Sequence, residues 1–73
     1  MKMHKQCVLI EAPEGYVEVV SYYDTSGNTY GADIYYHNHY AETINSMRTE
    51  PQYDHLLVLG YNFLQRVNNV QIN

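Results

Sequence analysis

Seventy-three residues, four Lys and Arg against eight Asp and Glu, a formal net charge of -4, one cysteine and nine tyrosines leave room for a single domain over residues 1–73. A chain of this length buries roughly 60% of its unfolded surface, and the lone Cys7 permits neither an internal disulfide nor a four-cysteine metal site, so stability is expected to be marginal or shared with a partner in a reducing, cytoplasmic setting. The longest apolar run, residues 56–61, falls far short of the about 20 that cross a bilayer, and neither a membrane segment nor a cleaved secretion signal is expected.

Residues 5–11 are rich in Val, Leu and Ile and end at Ala12, Pro13, Glu14 and Gly15. Proline second and glycine fourth suit a type I turn, which predicts a hairpin with Pro13 and Glu14 at its tip. Residues 16–24 and 29–37 flank Thr25, Ser26, Gly27 and Asn28, a second turn. Turning there pairs residues whose numbers sum to 53. Val17, Val19, Ser21 and Tyr23 then share an apolar face with Tyr36, Ile34, Ala32 and Tyr30, while Glu18 with Tyr35 and Val20 with Asp33 make an acidic, tyrosine-bearing one. A slip by one residue would mix the two sets, so the separation of chemistry itself supports this register. The first hairpin sets Ile10 opposite Val17 and Val8 opposite Val19, extending the apolar face.

Beyond His37 the spacing of Tyr40, Ile44 and Met47 reads as a short helix of about three turns with Asn38 as its N-cap. Thr49, Glu50, Pro51 and Gln52 have capping-box spacing and predict a second helix, amphipathic through Tyr53, Leu56, Leu57, Gly60, Leu64 and Val67. Leu59, Tyr61 and Phe63 widen its apolar arc beyond what one small sheet needs to cover it. Val70, Gln71, Ile72 and Asn73 alternate in the manner of a short fourth strand. The expected fold is therefore α+β: a three-stranded antiparallel meander with two C-terminal helices on one face, in the order βββαα.

Between Gln6 and Met47 there is no Lys or Arg, whereas Glu11, Glu14, Glu18, Asp24, Asp33 and Glu42 all fall there. Nucleic-acid affinity rests on clustered basic side chains, so direct nucleic-acid binding is not expected and a basic partner is the better match. Two histidines at i and i+2, His37 and His39, could ligate a metal with Asp33 or Glu42, but no third and fourth ligands stand at a diagnostic spacing. Cys7 falls on the outer face of an edge strand with no histidine placed beside it, and no glycine-rich phosphate loop is present, so neither catalysis nor a cofactor is expected.

The open sheet face remains. Tyr16, Tyr22 and Tyr35 are expected to project from it among Glu18, Asp24 and Asp33, giving rigid contact area beside carboxylates that complement Arg or Lys. The expectation is a non-enzymatic protein-binding module, an inhibitor or regulator that docks this face on a basic, nucleic-acid-binding surface of another protein. Small stand-alone domains of this kind are common among the anti-host proteins of phages and mobile elements, anti-CRISPR proteins included, an association of base rate and not of residues. The alternative is an assembly module that forms a homodimer through the helix flank bearing Leu59 and Phe63.

Overall fold

The computed structural model describes residues 1–72 of the chain, with side chains for residues 1–68. Among these the elements run β1 (Lys2–Ala12), β2 (Gly15–Asp24), β3 (Thr29–Tyr36), β4 (His39–Met47) and α1 (Tyr53–Ile72). The strands form one antiparallel sheet in the order β1-β2-β3-β4, a meander in which every neighbour in sequence is a neighbour in space. The α+β class is as expected, with four strands and one helix in place of three strands and two helices.

The β2–β3 register is the one that separates the two faces: Val17 lies opposite Tyr36, Glu18 opposite Tyr35, Val19 opposite Ile34 and Val20 opposite Asp33. Across the first hairpin Val8 faces Val19 and Ile10 faces Val17, with Pro13 and Glu14 between the last pair, Ala12 and Gly15. The inner face so assembled carries Val8, Ile10, Val17, Val19, Ala32 and Ile34, all buried, and Leu56 and Phe63 of α1 close over it. Each of the larger side chains among them removed from water contributes about 1.5–3 kcal/mol, which is the main force holding helix to sheet. At Gly60 the helix lies close on the sheet: a Cβ there would run into Ile10 Cδ1 and stand 3.2 Å from Val19 Cγ2. Glycine, poor in a helix interior, is tolerated here because it lets α1 settle on β1 and β2.

The first predicted helix is a strand. His37 and Asn38 both have positive φ, 54° and 65°, so they form a two-residue hairpin tip and Asn38 is not an N-cap. The chain then returns as β4, with Tyr40 opposite Tyr35 and Ile44 opposite Ala32. Two irregularities disturb its alternation: Ala41 is extra between the pairs Ile34–Glu42 and Tyr35–Tyr40, and Asn45 and Ser46 together oppose Gly31. Ile44 and Met47 thereby occupy the same face three residues apart, a spacing that imitates a helix.

The second helix forms, but later than capping-box spacing implies. Gln52, not Thr49, supplies the carbonyl that accepts the first helical bond, from Leu56 N at 3.0 Å, and Pro51 is buried in the segment that leads into it. Helical backbone continues through Ile72, so Val70, Gln71 and Ile72 add no fourth strand, and Asn73 lies outside the described residues. Tyr53 and Tyr40, placed at the core by helical spacing, are exposed, whereas Tyr36 packs edge-on against Phe63 with ring centres 5.5 Å apart. Phe63 is 7% exposed and Leu59 half-buried, so the flank proposed for dimerisation is largely occupied by the chain's own sheet.

Candidate functional site: the open sheet face

The helix covers one side of the sheet, and among the described residues no element covers the other. That outer face is built by the residues alternating with the core. β2 contributes Tyr16, Glu18, Val20, Tyr22 and Asp24; β3 contributes Gly31, Asp33 and Tyr35; β4 contributes Tyr40 and Thr43. The outward side chains of β1 are Cys7, Leu9 and Glu11 at one end and Lys2 and His4 at the other. A bulge connects the two halves: Lys5 and Gln6 stand where one residue would pair with Ser21. The fully buried Ser21 hydroxyl accepts from Gln6 N at 3.0 Å and donates to Gln6 O at 3.3 Å, satisfying backbone that the bulge frees. One extra residue inverts the facing of everything before it, and so turns Lys2 and His4 outward.

Those two residues change the character of the face. Asp33 is only 3% exposed, and its carboxylate accepts from Lys2 Nζ at 3.0 and 3.3 Å, from Thr43 Oγ1 at 2.7 Å and from His4 Nε2 at 3.4 Å. Burial pushes the carboxyl upward, but hydrogen bonds from Thr43, Lys2 and His4 together with the Lys2 charge outweigh it and hold Asp33 below its ordinary range. Lys2 is raised in return, chiefly by its hydrogen bond to Asp33. Tyr22, expected to project, is buried instead, with Lys2 Nζ 4.4 Å above its ring and His4 edge-on at 6.5 Å. Asp24 belongs to a turn: it accepts from Ser26 N at 3.0 Å, lies 3.5 Å from the N-terminal ammonium, and is held below its usual range mainly by the Ser26 bond. Asp33, Tyr22 and Asp24 are thus engaged within the chain.

The remaining expected residues converge at the other end of the face, beside the tips of the first and third hairpins. Tyr16 is 55% exposed and Glu18 lies directly opposite Tyr35, on the same side as predicted. Leu9, 64% exposed, and Tyr40, 61% exposed, join them. Tyr40 stacks edge-on against Tyr35 at 6.0 Å and its hydroxyl bonds Thr43 Oγ1 at 2.6 Å. Among Leu9, Glu11, Glu14, Tyr16, Glu18, Tyr35 and Tyr40 there is no Lys or Arg. Leu9 was legible as the outward residue between Val8 and Ile10; Tyr40 was hidden by the helical reading of β4, and Lys2, His4 and Thr43 by the bulges.

Cys7 donates to Glu18 Oε2 at 3.2 Å. Desolvation first, then the Glu18 carboxylate, push its thiol up to about 11. Alkylation of Cys7 at pH 8 is therefore expected to run about tenfold slower than that of an unstructured peptide thiol, the scarcity of thiolate being partly offset by its higher nucleophilicity. Glu18→Gln should recover part of the difference. A wild-type rate equal to that of the peptide would show that neither influence acts.

His37 stacks on Tyr36 with ring centres 4.0 Å apart, and His39 pairs across the hairpin with Tyr36. The ligands that would complete a site diverge: Asp33 is on the outer face, while Glu42 is on the helix side, held by both Arg66 terminal nitrogens at 3.1 Å. Among the described residues no three His, Cys, Asp or Glu are grouped to hold a metal ion, and no helix is long and apolar enough to cross a membrane. Set against known protein families, curated proteins and solved structures, the chain matches none.

Proposed function

We propose that this chain is a non-enzymatic binding protein that docks the hairpin-tip end of its open sheet face on a basic surface of another protein. The observation that carries the reading is the juxtaposition of exposed Leu9, Tyr16 and Tyr40 with Glu11, Glu14 and Glu18 in a patch to which neither Lys nor Arg contributes. Tyrosine gives large contact area at low entropic cost, and carboxylates around it steer and orient Arg or Lys from a partner. The partner surface is one that ordinarily holds phosphate, and occupying it inhibits nucleic-acid binding there. Its small size and acidic surface suit an inhibitor of the kind phages and mobile elements direct at host defence, anti-CRISPR proteins among them.

The test is affinity capture from the native host with the full chain as bait, followed by titration of the captured basic protein. Tyr16→Ala combined with Glu18→Lys should weaken binding at least about tenfold and flatten its dependence on salt. Asp33 is a poor choice for such a variant, since its carboxylate serves the fold. A captured partner that binds wild type and variant equally, or that keeps its nucleic acid when the chain is bound, would exclude this mechanism.

A further inference from the structure

A chain of hydrogen bonds runs from the buried Asp33 to the exposed Tyr40, and its direction is fixed. Asp33 is held below its ordinary range, so at neutral pH its carboxylate is ionised and can only accept. Thr43 has one hydroxyl proton, which it donates to Asp33 Oδ1 at 2.7 Å. The 2.6 Å contact between Thr43 Oγ1 and the Tyr40 hydroxyl must then be donated by Tyr40. A phenol has no second proton to give. Tyr40 is largely exposed, so a group that meets its hydroxyl from outside meets lone pairs alone and has to be a donor.

Tyr40 also ends a row that crosses the sheet. Leu9, Glu18, Tyr35 and Tyr40 stand opposite one another in turn on β1, β2, β3 and β4, about 4.8 Å from strand to strand. Tyr35 and Tyr40 meet edge-on, which places aromatic surface between the Glu18 carboxylate and the acceptor hydroxyl. A guanidinium suits this row: it is planar, carries five donors and no acceptor, is weakly hydrated and stacks on aromatic rings. An ammonium suits it less. Lys2 Nζ already sits on both Asp33 oxygens, next along the chain from Thr43, and a second compact, strongly hydrated charge would be set beside it, whereas a guanidinium spreads its charge over a plane. Phosphates and carboxylates, which only accept, find no proton at Tyr40.

We infer that the docking proposed above is anchored by an arginine of the partner protein, whose guanidinium lies along Tyr35, donates to the Tyr40 hydroxyl and has Glu18 at its other end. Thr43 is a positioning residue: it takes the Tyr40 proton and so turns the lone pairs of that hydroxyl toward the partner. The inference rests on the docking reading and adds to it the donor that Tyr40 selects.

Hexa-arginine and hexa-lysine peptides, equal in charge, are the probes, titrated into the full chain up to about 1 mM and followed by the amide resonances of β3 and β4. Hexa-arginine should bind about fivefold tighter than hexa-lysine. Tyr40→Phe should weaken hexa-arginine about tenfold, the loss of one hydrogen bond to a charged group, and leave the urea midpoint unchanged because the side chain is exposed. Thr43→Val frees the hydroxyl to turn and should narrow the preference for arginine; Thr43→Ser should retain it. Equal affinity for the two peptides overturns the inference, as does the absence of binding to either. Hexa-arginine binding that Tyr40→Phe leaves intact but Tyr16→Ala with Glu18→Lys weakens also overturns it, while the docking reading survives. Binding indifferent to all these variants sinks both.

Discussion

Replacing Gly31 with alanine is expected to destabilise the fold by about 3 kcal/mol, a fall of about 15 °C in the thermal midpoint. Gly31 is the glycine inside a strand, opposed by Asn45 and Ser46 across the β4 bulge. A Cβ there would collide with the Tyr22 hydroxyl and ring and stand 2.5 Å from the Ile44 carbonyl oxygen. The ring can swing away; the carbonyl belongs to β4 backbone and cannot move without shifting the strand. Any gain from a less flexible unfolded chain is about 0.4–1 kcal/mol and does not offset this. Tyr22 leaving its slot would also uncover Lys2 and Asp33, so damage at Gly31 spreads to the polar cluster. Tyr22→Ala relieves the ring contacts, and its cost combined with that of Gly31→Ala should fall below the sum of the two. Urea unfolding of the three variants measures this. A Gly31→Ala chain within about 0.5 kcal/mol of wild type would mean that β4 yields freely and that no close approach constrains this position.

Gly31 also illustrates what the sequence discloses and what it conceals. Period-two alternation exposes a sheet only while every residue counts once. Across β2 and β3 that condition holds, and the split between Val17, Val19, Ile34 and Tyr36 on one side and Glu18, Asp33 and Tyr35 on the other is legible in the sequence alone. In β4, Ala41 and the Asn45–Ser46 pair break the count twice, and the surviving spacing of Tyr40, Ile44 and Met47 mimics a helix. β-branched Thr43 and Ile44, and two consecutive residues suited to positive φ, were the signals favouring a hairpin. In β1 the Lys5–Gln6 bulge does the same damage at the site itself: simple alternation from Cys7 would send Lys2 and His4 to the core side, away from Asp33. The acidic face read from the sequence therefore lacked its own neutralising cation. A glycine within a strand run was the available hint that backbone approached backbone there.

Asp33→Asn is expected to cost about 2 kcal/mol at pH 7, lowering the thermal midpoint by about 10 °C. The substitution keeps the shape and removes the charge, leaving Thr43, Lys2 and His4 directed at a weaker acceptor. The figure lies below that for breaking a fully buried ion pair because Lys2 is partly exposed and can return to water. For the same reason Lys2→Met should cost less than Asp33→Asn. The pH dependence follows from the direction of the shift. The folded Asp33 pKa is depressed below its unfolded value, so the carboxylate's contribution is fully present above the unfolded value of about 3.9 and is lost as pH falls through the folded one. The stability gap between wild type and Asp33→Asn should therefore be constant from about pH 7 to about pH 5 and close in stronger acid, where Asp33 is protonated and resembles the amide. Lys2 acts in the opposite sense: its folded pKa is raised, so its share persists up to its unfolded value and is lost as pH rises through the folded one. Urea titrations of both chains across the acid range decide the matter. A gap that persists unchanged in strong acid would locate the effect in packing rather than in the charge that Lys2, His4 and Thr43 surround.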